Sequence, residues 1–271
     1  QAGLLRPDNS RSEAWTEIET LSSELNLLDL EVEKSNKAPV AMVVDVHGQW
    51  VSEIEVQGQS YQFNDIQFEY YSALRQLGLD VDFLSIDDDF EGYPLVVVPC
   101  LPILSEDFVA RCKASNADFV FGPRTGAKTD EFCLPENLAP GLLQTLIPIK
   151  VLAIETLRAG VTEPLRYGDQ TFESQRWSEL LELLSDNVQV HANMANGDAA
   201  MVQYQNYTYL ATLTDLGFLK AFFAKLCSSL GMTVVHLPPD VRLRKRGSLN
   251  FAFNYSDCLL YTSPSPRDGL L

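Results

Sequence analysis

The stretch that decides the fold class is Val-Ala-Met-Val-Val-Asp-Val at residues 40–46. It is almost continuously apolar, which is typical of a β-strand buried on both faces of a parallel sheet. Residues 47–63 are polar and contain glycine, so we predict a long loop there. The next segment has apolar residues at helical spacing and a glycine that ends the predicted helix: Ile66, Tyr70, Leu74, Leu77 and Gly78.

The same alternation of strand and helix continues along the chain. We predict strands at residues 81–86, 93–98 and 118–121, and a helix between the last two that is capped by Ser105. Strands that alternate with helices predict a parallel sheet with right-handed crossovers. The expected fold is therefore α/β, flavodoxin-like or class I glutamine amidotransferase-like, with helices flanking the sheet.

The pattern is less regular after Gly122. Strands are predicted at residues 151–157 and 188–191 with a helix at 177–184 between them, followed by a hairpin of 201–204 and 207–213 that turns near Asn206. A helix at 216–230 ends at Gly231. A second hairpin, 241–243 with 249–254, turns at Gly247 and is expected to open a separate small β domain.

The two ends of the sequence do not fit this α/β pattern. Ser10 and Glu13 form a capping-box pattern before an amphipathic segment that carries Trp15 on its apolar side. No earlier element is available to cover that side, so we interpret this helix as the last element of a preceding domain. Residues 258–271 have no usable periodicity and are interpreted as an artefactual tail.

The amino-acid composition argues against nucleic acid, membrane and metal as partners. The formal net charge of −17 disfavours nucleic acid as a partner, and the basic group at 242–246 is interpreted as a solvated strand edge or an intersubunit ion pair. No apolar run has the length of a membrane helix, so no membrane partner is expected. The five cysteines lack metal-binding spacing, which favours reduced thiols in a cytoplasmic protein without a metal site.

Few residues are candidates for a catalytic or metal-binding role. Cys100 follows a buried strand, which is a position that catalytic nucleophiles occupy in α/β folds. Each histidine that could act as its base is distant in sequence. We therefore favour a role for Cys100 as a small buried apolar residue. The carboxylates Asp87, Asp88 and Asp89 are interpreted as a solvated turn. We therefore predict no catalytic residue, no cofactor and no metal ligand.

Three residues are candidates for contact with another subunit: Trp50, Arg124 and Lys128. Trp50 lies in the predicted loop and is either a contact residue or part of the local core. Arg124 and Lys128 lie in the segment Gly122-Pro-Arg-Thr-Gly-Ala-Lys-Thr129, which is expected to bind a neighbouring subunit or to turn the chain. A phosphate-binding role for Lys128 and Thr129 is a weaker alternative, because the spacing differs from that of a P-loop.

Several segments together resemble glycoside hydrolase family 42 β-galactosidases over about residues 1–257. The similarity is carried by residues 2–9 and the following helix, by 77–83, by Leu-Val-Val-Val-Pro at 95–99 with 101–104, by 122–129, and by 242–247 with 251–255. The order and spacing of these segments carry the resemblance, since no one of them is decisive.

The resemblance implies a domain organisation. Residues 1–35 would be the last loop and helix of a (β/α)₈ catalytic barrel, and residues 36–236 an amidotransferase-like trimerisation domain. Residues 237–257 would be the truncated start of a C-terminal β-sandwich. The family hydrolyses terminal β-galactosides with retention, and its two catalytic glutamates would lie upstream of Gln1. The resemblance therefore implies a homotrimeric assembly region that meets galactosides only through the parent enzyme, whose barrel it lacks.

Two other functions remain open at this stage. One is a stand-alone amidotransferase-like or peptidase-like hydrolase that uses Cys100, which would require a histidine within hydrogen-bonding reach of the sulfur. The other is a small-molecule binding module with its pocket near Arg124, at the carboxyl ends of the strands.

Overall fold

The structure is a computed structural model, and it describes residues 4–27, 37–58, 60–246 and 249–257. The described residues fall into two units, one around residues 4–27 and one around residues 37–244. The predicted tail, the turn at Gly247 and the residues around 28–36 lie outside the described ranges. None of the described helices has both the length and the apolar character needed to cross a membrane.

The first unit contains helix α1, Ala14–Leu27, none of whose residues is buried. The helix begins four residues after Ser10, so Ser10 does not cap it and the predicted capping box is wrong. The backbone N–H of Ser10 instead donates to the carboxylate of Asp8 at 2.9 Å in the preceding turn. The apolar side of the helix, with Ile18, Leu21 and Leu25, is exposed.

Five parallel strands form the centre of the second unit, in the spatial order β2-β1-β3-β4-β10. Their bounds are β1 Val40–Val43, β2 Val81–Leu84, β3 Leu95–Val98, β4 Asp118–Phe121 and β10 Tyr207–Leu210. β1, β3 and β10 are buried at every residue because helices or loops cover both faces of the sheet. The predicted parallel sheet is therefore present.

Four helices pack around these strands: α2 Val46–Ile54, α3 Phe63–Gln76, α4 Glu106–Ala114 and α5 Leu216–Ser229. One apolar core lies on the side of α3 and α5, and a second lies on the side of α4. The predicted helix stops are correct, since Gly78 and Gly231 adopt positive φ angles of 72° and 76° just after α3 and α5.

The rest of the sheet is antiparallel and continues from β10 in the order β9-β8-β6-β7-β11, with β5 paired to β7. The bounds are β5 Ile149–Thr156, β6 Thr162–Tyr167, β7 Gln170–Leu183, β8 Gln189–Met194, β9 Ala199–Tyr204 and β11 Thr212–Thr214. The predicted hairpin at Asn206 is correct, with Tyr204 paired to Tyr207. β12, Val241–Arg246, and β13, Leu249–Asn254, form a separate two-stranded sheet.

The predicted helix at residues 177–184 is wrong, because residues 177–183 belong to the long strand β7. Leucine and glutamate favour helices and their spacing here imitates one, but the buried residues Trp177 and Glu179 alternate as in a strand. Pairing of this stretch with β5, and of Ser178 with β11, overrides the local preference. The sequence analysis also missed β6, which contains Pro164.

The predicted long loop at 47–63 is wrong as well, because helix α2 occupies its first part. Asp45 caps this helix by accepting a 2.9 Å hydrogen bond from the backbone N–H of Gly48. Glycine lowers helix propensity, yet a Cβ at Gly48 would lie only 3.0 Å from Phe63 Cε2 and 3.2 Å from Pro102 Cδ. The glycine that suggested a loop is therefore required by close packing.

Candidate functional site

The carboxyl ends of β1, β3 and β4 meet at one edge of the parallel sheet, where doubly wound folds bind their ligands. In this chain the edge is occupied by the chain itself. Helix α2 follows β1 and packs through Gly48 against Pro102, which follows β3. Side chains at the end of α2 also attach this helix to the segment after β4.

Glu55, directly after α2, forms ion pairs with two cations of that segment. Its Oε1 lies 2.6 Å from Lys128 Nζ, and its Oε2 lies 3.5 Å from Arg124 Nη2. Both cationic side chains are largely buried, at 4% exposed for Arg124 and 12% for Lys128. Such pairs must satisfy charges removed from water, so losing Glu55 would leave both cations poorly compensated.

Arg124 is the centre of a buried cluster. Its guanidinium carbon lies 5.6 Å from the ring centroid of Tyr61 and 5.5 Å from that of Trp177, within cation–π range. Its backbone, at a positive φ of 64°, donates its N–H to Glu179 Oε1 at 2.9 Å. Arg124 thereby connects the end of α2, through Glu55, with strand β7, through Glu179.

Glu179 is a buried carboxylate with three donors. Besides the Arg124 N–H, it accepts a 3.0 Å hydrogen bond from Trp177 Nε1 and a 2.6 Å hydrogen bond from the Tyr209 hydroxyl. Burial raises the pKa of the Glu179 carboxyl, and these donors and the Arg124 charge offset the increase only in part. With its oxygens engaged in this way, Glu179 serves as a structural acceptor.

Cys100 lies where the sequence suggested, just after β3, but its surroundings do not activate it. Its sulfur lies 3.3 Å from the hydroxyl of Tyr61, and no histidine is its hydrogen-bond partner. Burial raises the pKa of the thiol to about 11, with Arg124 opposing the increase. A thiol with such a pKa is protonated at neutral pH and is a poor nucleophile, so the hydrolase alternative is not supported.

The segment after β4 is a tight packing turn. A Cβ at Gly122 would lie 1.9 Å from the carbonyl oxygen of Pro99, so only glycine fits there. The hydroxyl of Thr125 donates to the Gly122 carbonyl at 2.8 Å. The ammonium of Lys128 is already paired with the carboxylate of Glu55 at 2.6 Å, so its charge is compensated within the chain and the phosphate-binding alternative is not supported.

The outward side of α2 is apolar. Val46, Trp50 and Ile54 follow one another at steps of four residues, so they lie along one side of the helix. Their exposed fractions are 56%, 52% and 71%. We call this row the α2 face. The imidazole of His47 lies edge-on to the Trp50 ring at a centroid distance of 5.2 Å.

The three candidate contact residues therefore take different places. Trp50 lies on the α2 face, while Arg124 and Lys128 lie beneath the end of α2 and pair with Glu55. The sequence analysis missed Glu55 and Glu179, since their partner Arg124 is 69 and 55 positions away along the chain. The row of apolar residues at steps of four after Asp45 was a signal for α2 that could have been used.

Residues 87–89 form an exposed turn in which Asp88 and Asp89 accept backbone N–H groups of Ser85 and Glu91. Within the described ranges, no group of three or more His, Cys, Asp or Glu side chains is arranged to hold a metal ion. The side chains at this edge of the sheet are therefore held by aromatic packing and internal ion pairs.

Helix α2 fills the edge of the parallel sheet at which related folds bind ligands, and it presents an apolar row on its outer side. This arrangement defines an α/β domain suited to packing against another protein surface. The family described as "Beta-galactosidase trimerisation domain" matches residues 38–233. The chain belongs to this family.

Relatives agree with this assignment. The chain is 35% identical over 254 residues to a β-galactosidase of Thermus thermophilus, covering 94% of this chain and 39% of the relative. Among solved structures, a β-galactosidase from Marinomonas ef1 aligns with a TM-score of 0.87 at 29% identity, over 97% of this chain and 41% of that one. That of Halorubrum lacusprofundi aligns with a TM-score of 0.80 at 25% identity, over 93% and 39%. The chain thus spans about two fifths of the length of these relatives.

Proposed function

We propose that this chain is the non-catalytic assembly region of a β-galactosidase and that it forms a homotrimer. The observation that supports this proposal most directly is the α2 face, an exposed apolar row at the edge where related sheets bind ligands. Trp50 would contact a neighbouring copy directly. Arg124 and Lys128 would act through Glu55, by holding the end of α2 in place.

The activity would belong to the parent enzyme. By the resemblance, this is retaining hydrolysis of terminal β-galactosides in the cytoplasm, with catalytic glutamates on a barrel that precedes residue 1. The relatives named β-galactosidases and the chain's partial coverage of their length support this proposal. The unpaired, buried thiols of Cys100, Cys112 and Cys227 agree with a reducing compartment.

We further propose the domain organisation inferred from the sequence. Residues 1–35 would end the catalytic barrel, 36–236 would form the trimerisation domain, 237–257 would begin a β-sandwich, and 258–271 would be artefactual. The strand order β2-β1-β3-β4-β10 corresponds to the flavodoxin-like order 2-1-3-4-5 and supports the finer fold assignment. The exposed apolar side of α1 supports a missing barrel partner.

The decisive experiment measures mass in solution by light scattering, together with β-galactosidase activity, on the 271-residue chain. We expect the mass of three copies and no turnover above background. A monomeric mass over the whole accessible concentration range would contradict assembly by this chain. Turnover would contradict the non-catalytic assignment, because it would place catalytic carboxylates within these residues.

A further inference from the structure

A ring of three copies requires two different surfaces on each copy. In a cyclic trimer the contact is heterologous: one surface of a subunit meets a different surface of the next, and the rotation closes the ring. The α2 face can supply only one of the two. The second surface should be apolar, accessible and held rigidly relative to α2.

Strand β5 and its partner β7 provide such a surface. β5 is paired only with β7 in the described sheet, and Leu152 and Ile154 of β5 are exposed. Ile154, whose cross-strand partner on β7 is Glu179, lines an open cavity of about 330 Å³ together with Leu180 of β7 and Met194 of β8. Apolar and acidic side chains both line this cavity, and its volume lies at the lower end of the range of protein pockets that bind small ligands. We call this the β5 cleft.

The rim of the β5 cleft is acidic. Glu155, Glu163 and Asp198 line it together with Asn196. An indole that is buried in this cleft needs an acceptor for its N–H group, and the carboxylates that line the cleft provide one. The imidazole of His47, next to Trp50, is a second donor that such a rim accommodates.

The α2 face and the β5 cleft are connected through the buried cluster. Glu179 is part of the cleft wall and accepts the backbone N–H of Arg124, whose guanidinium pairs with Glu55 at the end of α2. The chain therefore fixes the two surfaces relative to each other through one buried arginine. Fixed relative placement is what a closed ring demands, since a small angular error opens it.

We infer that Trp50 of one copy inserts into the β5 cleft of the next copy, so that the α2 face and the β5 cleft are the two halves of the trimer contact. This inference rests on the proposed assembly function. Interface hot spots are often tryptophans that fill a pocket and are surrounded by polar groups that exclude water. Trp50 with the acidic rim fits that description.

The test uses three matched double variants of the 271-residue chain, each of which adds two carboxylates. The first is Trp50→Asp with Ile54→Asp on the α2 face, and the second is Ile154→Asp with Leu180→Asp in the β5 cleft. The control is Phe68→Asp with Phe83→Asp, which changes exposed aromatic residues on α3 and the edge strand β2. Circular dichroism and thermal unfolding check that each variant folds.

We expect the first two variants to be monomers and the control to be a trimer. Loss of a hot spot worth about 2 kcal/mol weakens association at least about 30-fold. When the two monomeric variants are mixed, each still has one intact half of the contact. The mixture should therefore form a one-to-one heterodimer, seen by light scattering and by native mass spectrometry.

The possible outcomes separate this inference from the proposed function. A monomeric unmodified chain contradicts the assembly function and the inference with it. A trimeric unmodified chain whose β5-cleft variant stays trimeric contradicts only the inference. An α2-face variant that stays trimeric contradicts the inference and also the proposed contact of Trp50, while the assembly function itself stands. A mixture that remains monomeric contradicts only the inference, because the two surfaces would then meet other partners, such as the N-terminal part of the parent enzyme. A variant that fails to fold is replaced by Trp50→Ala or Ile154→Ala, for which the same outcomes decide.

Discussion

Helices α2 and α4 are both nine residues long, and each follows a buried strand at the carboxyl edge of the same parallel sheet. Each has a side-chain cap, Asp45 for α2 and Ser105 for α4. Their outer sides differ. α4 exposes Glu106, Asp107 and Lys113, whereas α2 exposes the apolar α2 face. Equivalent positions in one sheet thus carry a helix with a polar outer side and a helix with an exposed apolar row.

The largest expected difference concerns aromatic residues on the two helices. Phe108 of α4 is fully buried, so Phe108→Ala should lower the free energy of unfolding by about 3–5 kcal/mol. Trp50→Ala should lower it by about 1 kcal/mol or less, because half of that side chain is exposed. Urea unfolding at a concentration where the chain is dissociated measures both values. Equal losses would remove the distinction between the two helices.

The second prediction concerns the ion pairs that attach the end of α2 to the segment after β4. Glu55→Gln removes the carboxylate shared by Arg124 and Lys128, and we expect a loss of about 1–3 kcal/mol in the free energy of unfolding. Glu53→Gln, on the same helix, is the matched control, since Glu53 is exposed and should change stability by less than about 0.5 kcal/mol. If the two variants behave alike, the ion pairs beneath α2 do not hold it.

The caps should behave alike in the two helices. Asp45→Ala and Ser105→Ala each remove an acceptor for a backbone N–H in the first helical turn, which costs about 1 kcal/mol. Asp45→Asn and Ser105→Thr should restore most of it, because both residues are good caps. Thermal unfolding of the four variants is the measurement. A much larger loss for Asp45→Ala that asparagine does not restore would indicate that its charge, near His47, matters more than the cap.

The smallest expected effect is that of salt on association. Each copy carries a net charge of −17, so copies that meet through the α2 face repel one another over long range. Raising monovalent salt from about 0.01 M to about 1 M shortens the screening length from about 30 Å to about 3 Å and should tighten association a few-fold. Sedimentation at both ionic strengths measures the change. Weaker association in high salt would instead indicate that attractive ion pairs dominate the contact.

The parallel half of the fold was predictable from the sequence, and much of the antiparallel half was not. β4 coincides with the predicted range at residues 118–121, because its short apolar run is bounded by turn residues. β7 was misread, since Leu180, Leu181 and Glu182 favour a helix locally and only their pairing with β5 makes them a strand.

The candidate site was only partly predictable. Trp50 and Cys100 were singled out from the sequence as residues to examine, but nothing in the sequence shows that Trp50 is exposed and that Cys100 is paired with Tyr61. Glu55 was not predicted as a site residue. Its role depends on Arg124 and Lys128, and contacts over such separations are set by folding.

The sequence by itself determined the alternation of buried strands and amphipathic helices and the resemblance to a β-galactosidase family, because hydrophobic period and motif order are written locally along the chain. The tertiary structure alone decided that α2 fills the ligand edge, that Arg124 joins Glu55 to Glu179, and that the α2 face remains outside. Burial and ion pairing depend on which distant segments meet in space, so no local pattern encodes them.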